Sequence, residues 1–163
     1  MHIQNHPIRC QDGTQISAKT YSKRSDPQSP NVRLGVLIFC PALAVPQKFY
    51  TQCAEFFAEA GFTVLSFDYR GVGESAGPEN PRLGEWGSQD MEAVIQFAQA
   101  LPGAPSIYLL GHSIGGQLIG LAPSAKRLKG IVLVGASFPY WRRYKGLRKI
   151  TMGFMFALMM PLV

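Results

Sequence analysis

The segment 106–116 contains the residues whose types and spacing could do chemistry. It reads Ser-Ile-Tyr-Leu-Leu-Gly-His-Ser-Ile-Gly-Gly, so an apolar run is followed by Gly111-x-Ser113-x-Gly115. A serine hydroxyl is a weak nucleophile until it is exposed and aimed at a base. A sharp turn from a strand into a helix exposes it, and neighbouring backbone approaches closely only where side chains are missing, as at Gly111 and Gly115. The pattern predicts that Ser113 is a nucleophile at the tip of such an elbow, at a helix amino terminus that favours negative charge.

Alternating strands and helices are predicted to position this turn. The run 35–40 is continuously apolar, which is typical of a strand covered on both faces. The alternation favours an α/β fold with a mostly parallel sheet and helices on both faces. We predict six strands, at 3–10, 15–21, 35–40, 62–67, 106–110 and 130–134. We predict three helices, at 46–60, 87–100 and 113–122. The residues of the first that recur at helical spacing are Phe49, Cys53, Phe56, Phe57 and Ala60. The residues of the second that are predicted to point inward are Met91, Val94, Ile95 and Ala98.

Three blocks of the sequence resemble the α/β-hydrolase superfamily. They are 39–50, 67–75 and 111–116, and they follow one another in the order that the superfamily has. The second block, Phe-Asp-Tyr-Arg-Gly-Val-Gly-Glu-Ser, resembles the superfamily's D-x-R-G-x-G-x-S loop. The chain is similar in particular to esterase, lipase and serine-aminopeptidase-like members, and above all to a group of uncharacterised bacterial predicted α/β-hydrolases.

The resemblance assigns roles position by position. It implies that Ser113 is the nucleophile for a small-molecule ester or amide, cleaved through an acyl-enzyme without a cofactor or a metal. One oxyanion-hole donor would be the backbone N–H of Ile114. The other would come from the loop after the third strand, where many relatives have His-Gly-x and this chain has Pro41-Ala42-Leu43. The expected donor there is the Leu43 N–H, with Ala42 as the second choice.

Other polar residues receive a structural interpretation. His112 adjoins Ser113 on the elbow and therefore cannot face it, which predicts a packed, hydrogen-bonded histidine. Asp68 and Arg70 are expected to hold their loop through local hydrogen bonds. Asp90 and Glu92 lie at the start of a helix, where negative charge is favoured, so they are interpreted as capping residues. His2 and His6 are interpreted as surface histidines and Cys40 as a core thiol.

The catalytic partners of such a serine are missing from the sequence. In this fold the order along the chain is Ser, then Asp or Glu, then His, yet no Asp, Glu or His follows Ser113. We therefore expect this chain to be the amino-terminal part of the fold, truncated after the sixth strand. Residues 1–137 are expected to form part of the core, and residues 138–163 to form the start of a lid. The chain by itself is expected to be inactive, as a non-catalytic remnant or interaction module, with strand 130–134 as an open apolar edge.

Composition indicates the compartment and the partners. Residues 114–163 contain eight Lys or Arg and no acidic residue, and five of these cations lie in 142–149. With the apolar run 150–163, which is too short to span a bilayer, they could contact anionic lipid, while the plainer interpretation is a solvated surface. The sequence has no basic face interleaved with aromatic residues, so nucleic-acid binding is not predicted. It also lacks the GxxxxGK[ST] and GxGxxG motifs, so nucleotide binding is not predicted. Three cysteines without a CxxC and the lack of a signal peptide favour a cytoplasmic protein with free thiols.

Overall fold

The computed structural model describes residues 1–23, 34–77, 81–102, 106–136 and 145–159 of the 163-residue chain. Its strands are β1 (His2–Arg9), β2 (Gln15–Ser22), β3 (Gly35–Cys40), β4 (Phe62–Phe67), β5 (Ile107–His112) and β6 (Gly130–Val134). Its α-helices are α1 (Thr51–Glu59), α2 (Leu83–Glu85), α3 (Glu92–Gln99), α4 (Ile114–Gln117) and α5 (Leu147–Met159). Each of the six predicted strands is found within two residues of its predicted bounds.

The described strands form one sheet in the order β1-β2-β4-β3-β5-β6. β1 and β2 make an antiparallel hairpin, β2 pairs with β4 antiparallel, and β4, β3, β5 and β6 are parallel to one another. The carboxyl ends of parallel strands lie at one edge of a sheet, so the segments that follow β3, β4 and β5 meet there. This topology confirms the predicted α/β fold class.

Helices cover both faces of the sheet because the central strand β3 divides its side chains between two cores. Val36, Ile38 and Cys40 lie in the core that includes α3. Leu37 and Phe39 lie in the core that includes α1. Successive side chains of a strand point to opposite faces, so a strand buried on both sides must be apolar at every position. The predicted doubly covered strand at 35–40 is confirmed, since all six residues are buried.

The predicted helix at 46–60 consists of a 3₁₀ turn, Gln47–Tyr50, followed by α1. Its inward stripe is Tyr50, Ala54 and Ala58, spaced four residues apart. Two of the aromatic residues singled out from the helical spacing, Phe49 and Phe56, are 72% and 69% exposed. The small alanines allow the helix backbone to approach the sheet closely, and the bulkier stripe beside them turns outward.

The predicted helix at 87–100 is interrupted. A short α2 runs into a π-helical turn, Trp86–Met91, before α3 begins at Glu92. The predicted inward residues are buried, and they are Met91, Val94, Ile95 and Ala98. A π turn shifts the side chains that follow it relative to a regular helix, and such turns are frequent at functional sites. Here the turn places Asp90 in the interior, with no exposed surface.

Asp90 forms a buried ion pair with Arg70. Its carboxylate accepts from the Arg70 Nε (2.8 Å) and from the Arg70 backbone N–H (2.9 Å). Asp12, in the β1–β2 turn, and Glu85, in α2, lie 2.6 and 3.6 Å from the same guanidinium. Burial disfavours the charge of Arg70, but these carboxylates outweigh it and raise the pKa of Arg70. The capping interpretation of Asp90 was therefore wrong, because its carboxylate pairs with Arg70 instead. Arg70 reaches beyond its own loop and links the β1–β2 hairpin, the loop after β4 and the π-helical turn.

Glu92 lies in the first turn of α3, where the sequence places it. Its carboxylate also accepts from the N–H (2.8 Å) and the hydroxyl (2.7 Å) of Ser124, at the start of the 3₁₀ turn Pro123–Arg127. Burial would raise the pKa of Glu92, but the hydrogen bonds from Ser124 lower it. The acid therefore links α3 to the connection before β6.

β6 lies at the end of the sheet in the described chain and pairs there with β5 alone. Its apolar side chains are between 46% and 56% exposed, and they are Ile131, Val132, Leu133 and Val134. The open apolar edge that the sequence predicts is therefore present among the described residues.

The segment expected to begin a lid, 138–163, falls partly outside the described residues, at 138–144 and 160–163. Within it, α5 exposes Leu147, Ile150 and Phe154, which share one helical stripe. Among the described residues, no helix has the length and apolar character needed to cross a bilayer. The boundary between core and lid at residue 137 remains a prediction.

Replacement of Asp90 by Asn should destabilise the fold strongly. Arg70 would stay buried with one charged partner fewer, and an undercompensated buried charge lowers the free energy of unfolding by about 3 kcal/mol or more. Urea unfolding of the purified variant measures the change. The matched control is Lys19→Met, which breaks the 2.8 Å pair with the exposed Glu74 and should cost less than about 1 kcal/mol. Equal losses for the two variants would contradict the role assigned to Asp90.

Candidate functional site

The turn between β5 and α4 has the geometry of a strained elbow. Ser113 has φ 52° and ψ −118°, a conformation that residues with a side chain rarely adopt. Such a conformation costs of order 1–3 kcal/mol and persists only where the surroundings impose it. Here the Ser113 N–H donates to the Val134 carbonyl (2.9 Å), and its own carbonyl accepts from the Gly116 N–H (3.0 Å). The turn predicted from the sequence is therefore present, with Ser113 half-buried at its tip.

Glycines allow the backbone to close around Ser113. A Cβ on Gly111 would lie 2.5 Å from the Gly116 Cα, and a Cβ on Gly115 would lie 2.3 Å from the Cys40 carbonyl oxygen. These contacts give the physical reason for the two glycines that the sequence analysis singled out. Gly116 makes a third close approach, since a Cβ added there would lie 2.5 Å from the Ala136 Cβ. The Gly-Gly pair in the sequence was the signal that could have identified it.

The loop after β3, residues 41–46, adjoins the elbow through the contact between Cys40 and Gly115. In this loop the Ala42 N–H donates to the Tyr50 hydroxyl (2.9 Å), and the Ala42 carbonyl accepts from the Val45 N–H (3.1 Å). Among the described residues, no hydrogen bond takes up the N–H of Leu43 or of Ile114. The Leu43 side chain is 44% exposed. Of the two donors considered for this loop, Ala42 is already occupied and Leu43 is free.

Asp68 fixes this loop to the one after β4. Its buried carboxylate accepts from the Gln47 backbone N–H (2.6 Å), from the Gln47 side-chain amide (3.1 Å) and from the Glu74 N–H (2.9 Å). The hydroxyl of Ser75 donates to the Asp68 carbonyl (2.7 Å). Gly73 is required beside the carboxylate, because a Cβ there would lie 2.5 Å from it. The predicted loop-holding role of Asp68 is confirmed, and it extends to the first turn after the β3 loop.

His112 is packed and hydrogen-bonded, as predicted. Its Nδ1 lies 2.8 Å from the Tyr50 hydroxyl, and the two rings meet edge to face at 6.0 Å between centroids. Tyr50 was missed by the sequence analysis, and nothing in its sequence context distinguishes it from the other aromatic residues of that helix. Its position becomes evident only when the β3 loop and the elbow are seen together.

The other two histidines lie on β1, at the edge of the sheet opposite to β6. His2 is exposed. His6 is half-buried rather than a free surface residue, because its Nε2 lies 2.9 Å from the Thr20 hydroxyl and its ring contacts Phe97. Burial lowers the pKa of His6. Within the described chain, no hydrogen bond joins any imidazole to the Ser113 hydroxyl.

The described thiols are free, and burial raises the pKa of each of them. Cys40 is buried in the core as predicted, and burial raises its pKa. Cys10 is buried beside Asp90, and burial together with that carboxylate raises its pKa to about 12. The described residues also contain no cluster of three His, Cys, Asp or Glu side chains that could hold a metal ion. Within the described residues, the site therefore presents for chemistry the hydroxyl of Ser113 and the backbone N–H groups of Leu43 and Ile114, which no other hydrogen bond takes up.

Comparison with known proteins identifies relatives for most of the chain. Residues 35–150 match the family model described as the alpha/beta hydrolase fold. Over 106 residues the chain is 33% identical to an uncharacterised 31.7 kDa protein of Escherichia coli encoded in the traX-finO intergenic region. That match covers 63% of this chain and 37% of the relative, so the chain is much shorter than this curated relative.

Solved structures share the fold at low sequence identity. Hypothetical protein PA2218 from Pseudomonas aeruginosa superposes with a TM-score of 0.68 at 20% identity, covering 96% of this chain and 52% of that one. XC6422 from Xanthomonas campestris, described as a serine hydrolase without a lid, gives 0.67 at 22% identity, covering 89% and 65%. A thermostable carboxyl esterase from Bacillus coagulans, solved with glycerol, gives 0.70 at 20% identity, covering 86% and 46%. The chain thus spans between about half and two thirds of these structures.

Replacement of Gly115 by Ala tests the close approach at the elbow. The added Cβ would meet the Cys40 and Pro41 carbonyl oxygens at 2.3 and 2.6 Å. Backbone on both sides cannot yield easily, so we expect the free energy of unfolding to fall by about 3 kcal/mol. Thermal or urea unfolding measures it. Gly120→Ala is the matched control, because a Cβ there meets nothing within 4 Å and should change stability by less than about 1 kcal/mol. If Gly115→Ala were as stable as this control, the geometry described for the elbow would be wrong.

Proposed function

Because this chain belongs to the alpha/beta hydrolase fold family, which it matches over residues 35–150, we propose that Ser113 is the nucleophile of a serine hydrolase. The substrate is a small-molecule carboxylic ester or amide, which is cleaved through an acyl-enzyme. The observation that carries the proposal is the backbone of Ser113, a residue with a side chain held at φ 52° between a strand and a helix. Strain of this kind is concentrated at functional sites. Esterases among the structural neighbours favour the ester as substrate.

The two free backbone N–H groups support the oxyanion-hole part of the proposal. When Ser113 Oγ attacks the carbonyl carbon, the carbonyl oxygen gains negative charge. The N–H groups of Leu43 and Ile114 donate to that oxygen. Loss of one such donor typically lowers the rate by about a hundred- to a thousandfold. The leaving alcohol or amine departs, and water then releases the acid from the serine.

The proton of Ser113 needs an acceptor within about 2.6–3.2 Å. Among the described residues, His112 is bonded to Tyr50 and His6 to Thr20, and no Asp, Glu or His follows Ser113 in the sequence. We infer that these 163 residues supply the nucleophile and the oxyanion donors but not the general base. Without a base the hydroxyl stays protonated, so hydrolysis by this chain alone is expected to be slow and to respond to a base added in solution.

A non-catalytic role at a membrane surface is the second candidate. It is supported by the exposed apolar stripe of α5, Leu147, Ile150 and Phe154, which adjoins the cation-rich segment 142–149. A basic helix start with an apolar stripe is typical of peripheral binding to anionic lipid. This role predicts salt-sensitive co-sedimentation with phosphatidylserine vesicles that is lost when residues 140–163 are deleted. Sedimentation that is insensitive to salt and to the deletion would exclude it.

Hydrolysis of p-nitrophenyl acetate by the purified chain, with and without added imidazole, tests the hydrolase proposal. A positioned base contributes about 10²–10⁴-fold, and a diffusing base should recover part of this. We expect imidazole to raise the rate to at least about tenfold above that of Ser113→Ala under the same conditions. Subtraction of the Ser113→Ala rate removes the direct reaction of imidazole with the ester.

Ser88→Ala is the matched serine control. The Ser88 hydroxyl donates to the Gly84 carbonyl on an exposed helix turn (2.9 Å) and takes no part in the proposed site, so this variant should hydrolyse the ester as the unmodified chain does. Mass spectrometry during turnover should find the acetyl group on Ser113. Equal rates for the unmodified chain and Ser113→Ala in imidazole would refute the hydrolase proposal and favour the non-catalytic role.

A further inference from the structure

We propose that the hydroxyl of Tyr50 is a positioning group for the oxyanion hole, because it bridges the Ala42 N–H of the β3 loop to the Nδ1 of His112 on the elbow. The inference rests on the proposed function, since it concerns how the donor at Leu43 is held. It makes Tyr50 and His112 positioning residues rather than catalytic ones, since the described contacts place neither of them on the Ser113 hydroxyl.

One assignment of donors and acceptors, with a neutral imidazole, pairs every hydrogen-bonding group of this bridge. The Ala42 backbone N–H can only donate, so the Tyr50 oxygen accepts from it at 2.9 Å. The single Tyr50 O–H is then left for His112 Nδ1, 2.8 Å away. We assign no proton to that nitrogen and place the ring proton on Nε2, because a protonated Nδ1 would leave the Tyr50 O–H without a partner among the described residues. One tyrosine hydroxyl thus satisfies a backbone donor and fixes a histidine tautomer.

Two hydrogen bonds, one of them to Tyr50, restrict the peptide planes around the Leu43 N–H. The Pro41–Ala42 plane is held by Tyr50 through the Ala42 N–H. The Ala42–Leu43 plane is held from its other side, because the Ala42 carbonyl accepts from the Val45 N–H at 3.1 Å. In a trans peptide the N–H and C=O point in opposite directions. Fixing the Ala42 carbonyl toward Val45 therefore turns the Leu43 N–H away from the loop interior and leaves it free to donate.

Tyr50 is itself held rigidly enough to act as a bridge. Its side chain is only 9% exposed, in the core that includes α1. Its ring meets Phe39 and Phe49 edge to face, with centroids 6.3 and 5.3 Å apart. Burial raises the pKa of Tyr50, so its hydroxyl stays protonated and can donate to His112. Because His112 directly precedes Ser113, the bridge connects the nucleophile's own turn with the loop that offers the second oxyanion donor.

The variant Tyr50→Phe removes the hydroxyl and keeps the ring. In the imidazole-supported assay we expect the Ser113-dependent kcat to fall about tenfold or more, while KM for the ester stays within about twofold. The reason is that a misplaced donor weakens the transition state more than the ground state, and its complete loss would cost about 10²–10³. The matched control is Tyr108→Phe on β5, whose ring packs edge to face on Phe62 and whose hydroxyl makes no hydrogen bond in the described chain. This control should leave both constants unchanged.

A nitrogen-15 NMR spectrum of the His112 ring tests the bridge without any turnover. The unmodified chain should show the tautomer protonated on Nε2, with the Nδ1 resonance shifted by the hydrogen bond from Tyr50. In Tyr50→Phe that Nδ1 resonance should move toward the value of a free ring nitrogen, while Tyr108→Phe should leave it in place. An Nδ1-protonated ring in the unmodified chain, or a resonance that does not respond to Tyr50→Phe, would overturn the proposal.

Two variants of His112 keep the test independent of how well Tyr50→Phe folds. His112→Ala removes the acceptor, whereas His112→Asn offers a side-chain oxygen close to the place of Nδ1. We expect His112→Ala to lose kcat as Tyr50→Phe does, and His112→Asn to recover a larger part of it. Equal kcat for His112→Ala and the unmodified chain would overturn the positioning role. If instead hydrolysis survives in Ser113→Ala, the proposed function fails, and the NMR result still decides whether the bridge exists.

Discussion

The fold is organised around a close backbone approach at the end of β5. Ser113 is held in a conformation that its side chain disfavours, and it stays there because the turn is closed on three sides. Val134 accepts its N–H, Gly116 folds back onto its carbonyl, and Gly115 lies against the Cys40 carbonyl. The contacts of Val134 and Cys40 join β6 and β3 to the elbow, whereas the contact of Gly116 closes the turn from within α4. The strain is therefore sustained by the parallel arrangement of β3, β5 and β6 rather than by the local sequence.

Buried polar networks fix the loops that surround this elbow. Asp68 holds the start of the 3₁₀ turn after the β3 loop, and the Arg70–Asp90 pair holds the β4 loop to the π turn and to the β1–β2 hairpin. Such networks carry a desolvation penalty and are stable only when every member is paired. Their benefit is geometric, since they allow little variation in the path of the loops. The Tyr50 bridge fixes Ala42 and His112, which flank the proposed donor and nucleophile, in the same way.

Much of the fold could be predicted from the sequence, because burial on both faces of a sheet leaves a direct signature. The apolar run at β3 and the strand–helix alternation gave the fold class and the strand positions. Predictions failed where tertiary contacts override local pattern. Phe49 and Phe56 satisfy helical spacing, yet the inward stripe is Tyr50, Ala54 and Ala58, since the space between α1 and the sheet admits small side chains. Asp90 was interpreted as a helix cap, because its partner Arg70 lies 20 residues away in sequence.

The sequence by itself determined the candidate nucleophile, the two glycines of its turn and the absence of an Asp, Glu or His after it, because residue types and spacing are explicit in the chain. The tertiary structure alone decided which backbone N–H of the β3 loop is free. That choice depends on where the Tyr50 hydroxyl lies relative to Ala42 and His112. These three groups belong to segments that come together only when β3 and β5 pair in register, so no local pattern could have encoded their meeting.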